Sequence, residues 1–169
     1  MSKQKKQKPA PSVSHDLRKE AKKIQKYILQ EKSKNNVLHD ERVFFKQMKS
    51  YVSFVASLSG AELKLPDLLQ DYYMTIGTLR DTKIFVKKCD TYIDAAMVKV
   101  LCDEKLEKAK KQFTAFLKKH KSSLIAKQVR DYLTLIDARY KIFEPKWIQA
   151  GLQTYLTRQE NVIKQHLLS

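Results

Sequence analysis

The chain has 169 residues, the size of a single domain, and its 34 Lys and Arg against 18 Asp and Glu give a net charge of +16. Its 3 Gly and 4 Pro are too few for the many turns of a β-sandwich or barrel, and for a glycine-rich nucleotide-binding loop. No apolar run approaches the length of a membrane span, and residues 1–8 do not resemble a secretory signal, so we do not expect a transmembrane or secreted protein.

The first part of the chain predicts a basic arm. Residues 1–13 are polar and contain prolines, which is typical of a disordered tail. From residue 14 to about residue 33 the pattern is helical, and residues 32–36 form a polar hinge. One narrow face of this helix carries four apolar residues: Leu17, Ala21, Ile24 and Ile28. The opposite face carries four lysines: Lys19, Lys22, Lys23 and Lys26.

The middle of the chain predicts the core. Residues 38–58 are apolar around most of the helix circumference, which indicates a central buried helix that ends at Gly60. Pro66 fits the first turn of a helix that we expect to end near residue 79. Asp81 then indicates the start of another helix, which runs to about residue 102.

The last third of the chain predicts three more helices. The first follows Asp103 and Glu104 and ends near residue 121, and the second has the cleanest apolar stripe, from Ile125 to Phe143. Pro145 separates it from a final amphipathic helix, and we expect Trp147 to wedge between the last two helices.

The predicted fold class is therefore all-α. We expect a compact bundle of about six core helices over residues 38–169, preceded by a disordered tail at 1–13 and by a basic amphipathic helix with its hinge at 14–37.

The positive charge is concentrated in two blocks. Residues 1–37 and residues 105–130 each have a net charge of +8, whereas the remaining residues together are neutral. Surfaces that bind phosphates gather cations in this way, because neutralising neighbouring phosphates releases counterions. The alternative is that the lysines lie on solvent-exposed helix faces and bind no phosphate. Since Lys outnumbers Arg by 28 to 6, the pattern favours phosphate-backbone contacts over recognition of base edges.

No catalytic or metal-binding motif is present in the sequence. The four His are scattered, and Cys89 and Cys102 are too few and too far apart for a zinc site. We expect two buried thiols in a reducing compartment, no cofactor, no small-molecule substrate and no enzyme activity.

The sequence thus predicts a protein that binds the phosphate backbone of RNA within a nuclear or nucleolar ribonucleoprotein, for example during ribosome assembly. The tail supplies a nonspecific tether through Lys3, Lys5, Lys6 and Lys8. The basic face of the first helix supplies Lys19, Lys22, Lys23 and Lys26. The second block supplies Lys108, Lys111, Lys118, Lys119 and Lys121. Residues 5–8 match a short nuclear import pattern, which predicts a nuclear or nucleolar location. The cytoplasm is the alternative location.

Three alternatives remain open at this point. DNA offers the same phosphates as RNA, so lysine contacts alone do not separate the two. The chain can instead be a protein–protein adaptor that docks the seam of Leu17, Ala21, Ile24 and Ile28 into a groove on another subunit of a larger complex. A weaker alternative is attraction to an anionic lipid surface.

Overall fold

The computed structural model describes residues 13–92, 96–143 and 145–168. These residues contain no strand and form six helices: α1 (Val13–Leu29), α2 (Asn35–Ser59), α3 (Asp67–Tyr92), α4 (Ala96–His120), α5 (Ser122–Tyr140) and α6 (Pro145–Leu168). The predicted all-α class and the compact multi-helix bundle are confirmed. The tail lysines at positions 3, 5, 6 and 8 lie outside the described residues.

Helix α2 is the central element of the bundle. It contacts α1, α3, α5 and α6, and Phe44, Phe45, Met48 and Val55 are fully buried along it. These side chains lie within about 100° of one another around the helix, so α2 buries one broad face. Val43, on the other side of the helix, is 38% exposed. The prediction of a central core helix in this region is confirmed.

Helix α1 belongs to the same core and does not stand apart as an arm. It packs on α2 and α5, and its apolar seam is buried in the main hydrophobic cluster together with Ile125 and Val129 of α5. The guanidinium of Arg18 also donates to the carboxylate of Asp137 on α5. The apolar seam of α1 thereby covers part of α2 and α5.

Helices α3 and α4 are two long helices where the sequence predicts three shorter ones. The predicted helix start at Asp81 is wrong, since α3 continues through it to residue 92. The Asp81 carboxylate pairs with Arg42 and Arg80 instead of capping a new helix. Buried Thr82 and Val86 extend the inner face past this point. Likewise, Asp103 and Glu104 lie inside α4.

Helices α5 and α6 close the bundle. The single residue Lys121 joins α4 to α5, and α5 buries its apolar stripe against α1, α2, α3 and α4. Within the described chain, α6 packs on α2, where Gly151 lies against Leu58. The expected wedging of Trp147 is wrong: its side chain is 61% exposed and lines an open cavity of about 540 Å³.

Candidate nucleic-acid interface

The lysine face of α1 points away from the core. Lys19, Lys22, Lys23 and Lys26 are all exposed, because the buried seam occupies the other side of the helix. One of these cations is locally neutralised: the Lys23 ammonium lies 2.9 Å from the Asp40 carboxylate on α2. That hydrogen bond raises the pKa of Lys23 above its ordinary value. The other three have no carboxylate partner among the described ion pairs.

The apolar seam of α1, in contrast, is occupied by this chain. Leu17, Ala21, Ile24 and Ile28 are each no more than 6% exposed and pack into the main core. A partner subunit can reach them only if α1 leaves the bundle and exposes the apolar surface beneath it. The structure therefore gives no support to the alternative of an adaptor that docks this seam on a partner.

The predicted contact lysines of the second basic block lie on α4, except Lys121, which joins α4 to α5. All five predicted contact residues are exposed: Lys108, Lys111, Lys118, Lys119 and Lys121. Lys111 and Lys118 line a shallow depression of about 380 Å³. Glu107 also lines this depression, but its carboxylate is 2.6 Å from the ammonium of Lys110, and that hydrogen bond lowers the pKa of Glu107. None of the five predicted contact lysines takes part in a described ion pair, although the charge of Lys111 also lowers the pKa of Glu107.

The two basic helices flank α5. Within the described residues α1 and α4 do not contact one another, but each contacts α5. The exposed residues of α5 include Lys127 and Arg130, beside Asp131. The described lysines of the two blocks therefore lie on separate helices that share one neighbour, and α5 carries further cations.

The structure also brings together a group of residues that sequence reasoning missed. Arg42 and His39 on α2 lie next to Tyr73, Arg80 and Asp81 on α3. The net charge of residues 38–104 is −1, and this average hid the local grouping of the two arginines. A signal was present nonetheless: Tyr73, Gly77 and Asp81 are spaced four residues apart, which places them on one side of a helix.

The core contains one carboxyl group with a strongly shifted pKa. Glu41 is fully buried, Tyr72 donates to its Oε1 at 3.1 Å, and Oε2 has no hydrogen-bond partner in the described structure. Burial raises the pKa of Glu41 to about 8. A carboxyl in this environment holds its proton at neutral pH, and this one lies inside the packed core.

The described residues offer no metal site. They contain no group of three or more His, Cys, Asp or Glu that could hold a metal ion. Cys89 and Cys102 are buried free thiols, as expected, and they share a small apolar cluster with Val86. Within the same described residues, no helix is long and apolar enough to cross a membrane.

Comparisons with known proteins add no relative. No protein-family model, no curated protein and no solved structure matches this chain. Function must therefore be argued from the charge and geometry of the chain itself.

Proposed function

We propose that this protein is a non-catalytic RNA-binding protein that contacts the phosphate backbone through the lysines of α1 and α4. It does so within a nuclear or nucleolar ribonucleoprotein, such as a ribosome-assembly complex. One observation carries the proposal. All nine described candidate lysines are exposed, and Lys23 alone among them has a carboxylate partner in the described ion pairs. Their charge is available to an external ligand.

The concentration of this charge supports a polyanionic ligand. Each basic block has a net charge of +8, and such a density is costly in self-repulsion unless a partner neutralises it. Lysine ammonium groups bind phosphates as point charges without a fixed orientation. This favours contacts with the backbone over recognition of a particular base sequence.

The choice of RNA and of the nucleus is the more specific part of the proposal. It is supported by the basic pattern at residues 5–8, which is typical of a nuclear import signal. Duplex DNA of the same sequence is the direct competitor in any binding test, because its backbone carries the same charge. Tighter binding to DNA than to RNA would replace RNA with DNA in the proposal.

The test compares three sets of Lys→Gln substitutions that each remove three charges from the full chain. The α1 set is Lys19, Lys22 and Lys26, and the α4 set is Lys111, Lys118 and Lys119. The matched control set is Lys46, Lys141 and Lys164, which are exposed residues outside the two basic blocks. Binding to single-stranded and duplex RNA is measured by fluorescence anisotropy.

We expect each block set to weaken RNA binding markedly more than the control set, although all three change the net charge equally. Circular dichroism should show unchanged helix content, since none of these side chains is buried. If the control set costs as much affinity as the block sets, binding reflects net charge alone and the proposed interface is wrong. If the wild-type chain does not bind RNA, the proposed function is wrong.

A further inference from the structure

Two arginines distant in sequence are held together between α2 and α3. Arg42 Nη1 lies 2.6 Å from Asp81 Oδ2, and Arg80 Nη1 lies 3.2 Å from Asp81 Oδ1, so one carboxylate bridges both guanidinium groups. Arg80 Nη2 also lies 3.3 Å from His39 Nδ1, where a neutral imidazole can accept its hydrogen bond. We call His39, Arg42, Tyr73, Arg80 and Asp81 the arginine cluster.

The position of Arg42 is built into the helix beneath it. Gly77 is buried in the interior of α3, where alanine is the better helix former. A Cβ atom on Gly77 would lie 3.0 Å from Arg42 Nη1 and 3.3 Å from its Cζ. Glycine at this position therefore leaves room for the guanidinium to lie close to α3.

An aromatic ring borders the same guanidinium. Arg42 Cζ lies 5.6 Å from the centroid of the Tyr73 ring, and Lys49 Nζ lies 5.3 Å from it. Tyr73 itself is only half-buried. The ring also packs against Phe45 of the main core, with 6.0 Å between the two centroids. Tyr73 therefore anchors the guanidinium of Arg42 through a cation–π contact.

The exposure of the ion-pair partners shows which group a ligand could replace. The side chains of Arg42 and Arg80 are 20% and 26% exposed, whereas that of Asp81 is 60% exposed. The cations are thus held by the fold, while the anion that bridges them lies at the surface. An external anion can approach the two guanidinium groups from the side on which Asp81 now lies.

We infer that the arginine cluster is a binding site for one phosphate group of a nucleotide, and that the Asp81 carboxylate occupies the place of this phosphate in the free protein. Guanidinium groups bind phosphate through paired hydrogen bonds, which lysines do not provide. The assignment of this phosphate to RNA rests on the proposed function. The site differs from the lysine surfaces because its cations are oriented before a ligand binds.

The first experiment detects the site without RNA. The chain has six arginines, so their Nε–H signals can be resolved by NMR during titration of the ¹⁵N-labelled protein with uridine 5′-monophosphate. We expect the signals of Arg42 and Arg80 to shift, and the exposed Arg130 to remain unchanged as an internal control. Equal shifts of all arginines, or none, would overturn the inference.

Two further titrations identify the ligand chemistry. Uridine without its phosphate should leave Arg42 and Arg80 unshifted, because the base alone does not displace Asp81. Succinate should act much more weakly than the nucleotide. If succinate shifts both signals as strongly, the cluster recognises carboxylates of an acidic protein and the nucleotide site is wrong.

The second experiment measures single-stranded RNA affinity in variants that separate the site from net charge. Asp81→Asn frees both guanidinium groups and should strengthen binding, whereas Asp131→Asn makes the same charge change beside Arg130 and should have a smaller effect. Gly77→Ala should weaken RNA binding, because its methyl group requires the Arg42 guanidinium to shift by a few tenths of an ångström, and circular dichroism should show unchanged helix content. Arg80→Lys should weaken RNA binding although the net charge is unchanged. Arg130→Lys, the control at an exposed arginine outside the cluster, should leave RNA binding unchanged.

The outcomes distinguish this inference from the proposed function. If RNA binds through the lysine blocks but Asp81→Asn and Asp131→Asn behave alike, the arginine site is wrong and the proposed function stands. If RNA does not bind but the mononucleotide shifts Arg42 and Arg80, the proposed function is wrong and the phosphate site remains.

Discussion

The guanidinium of Arg18 on α1 donates to the buried carboxylate of Asp137 on α5, 119 residues further along the chain. Tyr51 of α2 donates to the other carboxylate oxygen at 2.9 Å, so three helices meet at one acidic side chain. Arg18 adjoins the lysine stripe of α1 in sequence. This junction fixes the rotation of α1, with the apolar seam inside and Lys19, Lys22 and Lys26 outside.

Removal of the Arg18 side of this junction should destabilise the protein. In Arg18→Gln, the carboxylate of Asp137 stays buried with Tyr51 as its remaining donor, and an unpaired buried charge is costly. We expect a loss of about 2 kcal/mol in the free energy of unfolding, less than for a fully buried pair because water reaches the half-exposed Arg18. Urea unfolding measures it.

Arg130→Gln is the matched control, because the Arg130–Asp131 pair on α5 is exposed on both sides. Its effect should stay below about 0.5 kcal/mol. If Arg18→Gln is no more costly than this control, the junction does not hold α1 in place.

Glu41 should make the stability of the protein depend on pH. Its pKa rises from 4.5 to about 8 in the folded state, so the folded protein binds the extra proton between these values. The contribution of Glu41 to the free energy of unfolding should therefore be fully present below about pH 4.5. It should be lost as the pH rises from there through about 8. In Glu41→Gln the amide oxygen still accepts the hydrogen bond from Tyr72, but the side chain no longer titrates. The free energy of unfolding of this variant, relative to that of wild type, should therefore increase as the pH rises between these two values.

The control for this prediction is Glu62→Gln. Glu62 is exposed, and its hydrogen bond from Lys64 lowers its pKa, so its substitution should leave the pH dependence above neutrality unchanged. Urea unfolding at a series of pH values gives both curves. Parallel curves for wild type and Glu41→Gln would show that Glu41 is not protonated in the fold.

The contact of α6 with α2 should be sensitive to one methyl group. A Cβ atom on Gly151 would lie 1.9 Å from Leu58 Cδ2, so Gly151→Ala must displace either Leu58 or α6. We expect a loss of about 1–3 kcal/mol in stability and a change in the fluorescence of Trp147, the single tryptophan of the chain, which lines the same cavity.

A double-mutant cycle tests the cause of this loss. Leu58→Ala creates the space that the added methyl group of Gly151→Ala needs, so the double variant should lose less stability than the sum of the two single variants. Additive losses would mean that the two residues are not in contact.

Local periodicity predicted the all-α class and the buried face of α1, but it placed the boundaries of α3 and α4 wrongly. The apolar seam of α1 is visible as residue spacing and is buried as that spacing indicates. The apolar residues of α2 surround most of the helix, but the structure buries one broad face and leaves Val43 exposed. Spacing does not say what covers a face, and so the sequence alone could not exclude that a partner subunit covers the seam of α1.

The errors arose where a long-range contact determines the role of a residue. Asp81 has the chemistry of a helix cap, but Arg42, 39 positions earlier, pairs with its carboxylate, and the helix continues. The arginine cluster depends on the same contact between α2 and α3. A net charge averaged over a segment cannot show such a grouping, because it contains no information about which side chains meet.

The most direct test of the proposed RNA contact is the salt dependence of binding. The association constant of the full chain for an RNA duplex is measured by fluorescence anisotropy between about 50 and about 200 mM salt. Contacts with roughly six to ten phosphates predict a linear log–log decrease and a loss of about 10³–10⁵ in affinity over this range. A nearly flat response, in a chain that still binds the duplex, would contradict a backbone interface formed by the lysines of α1 and α4.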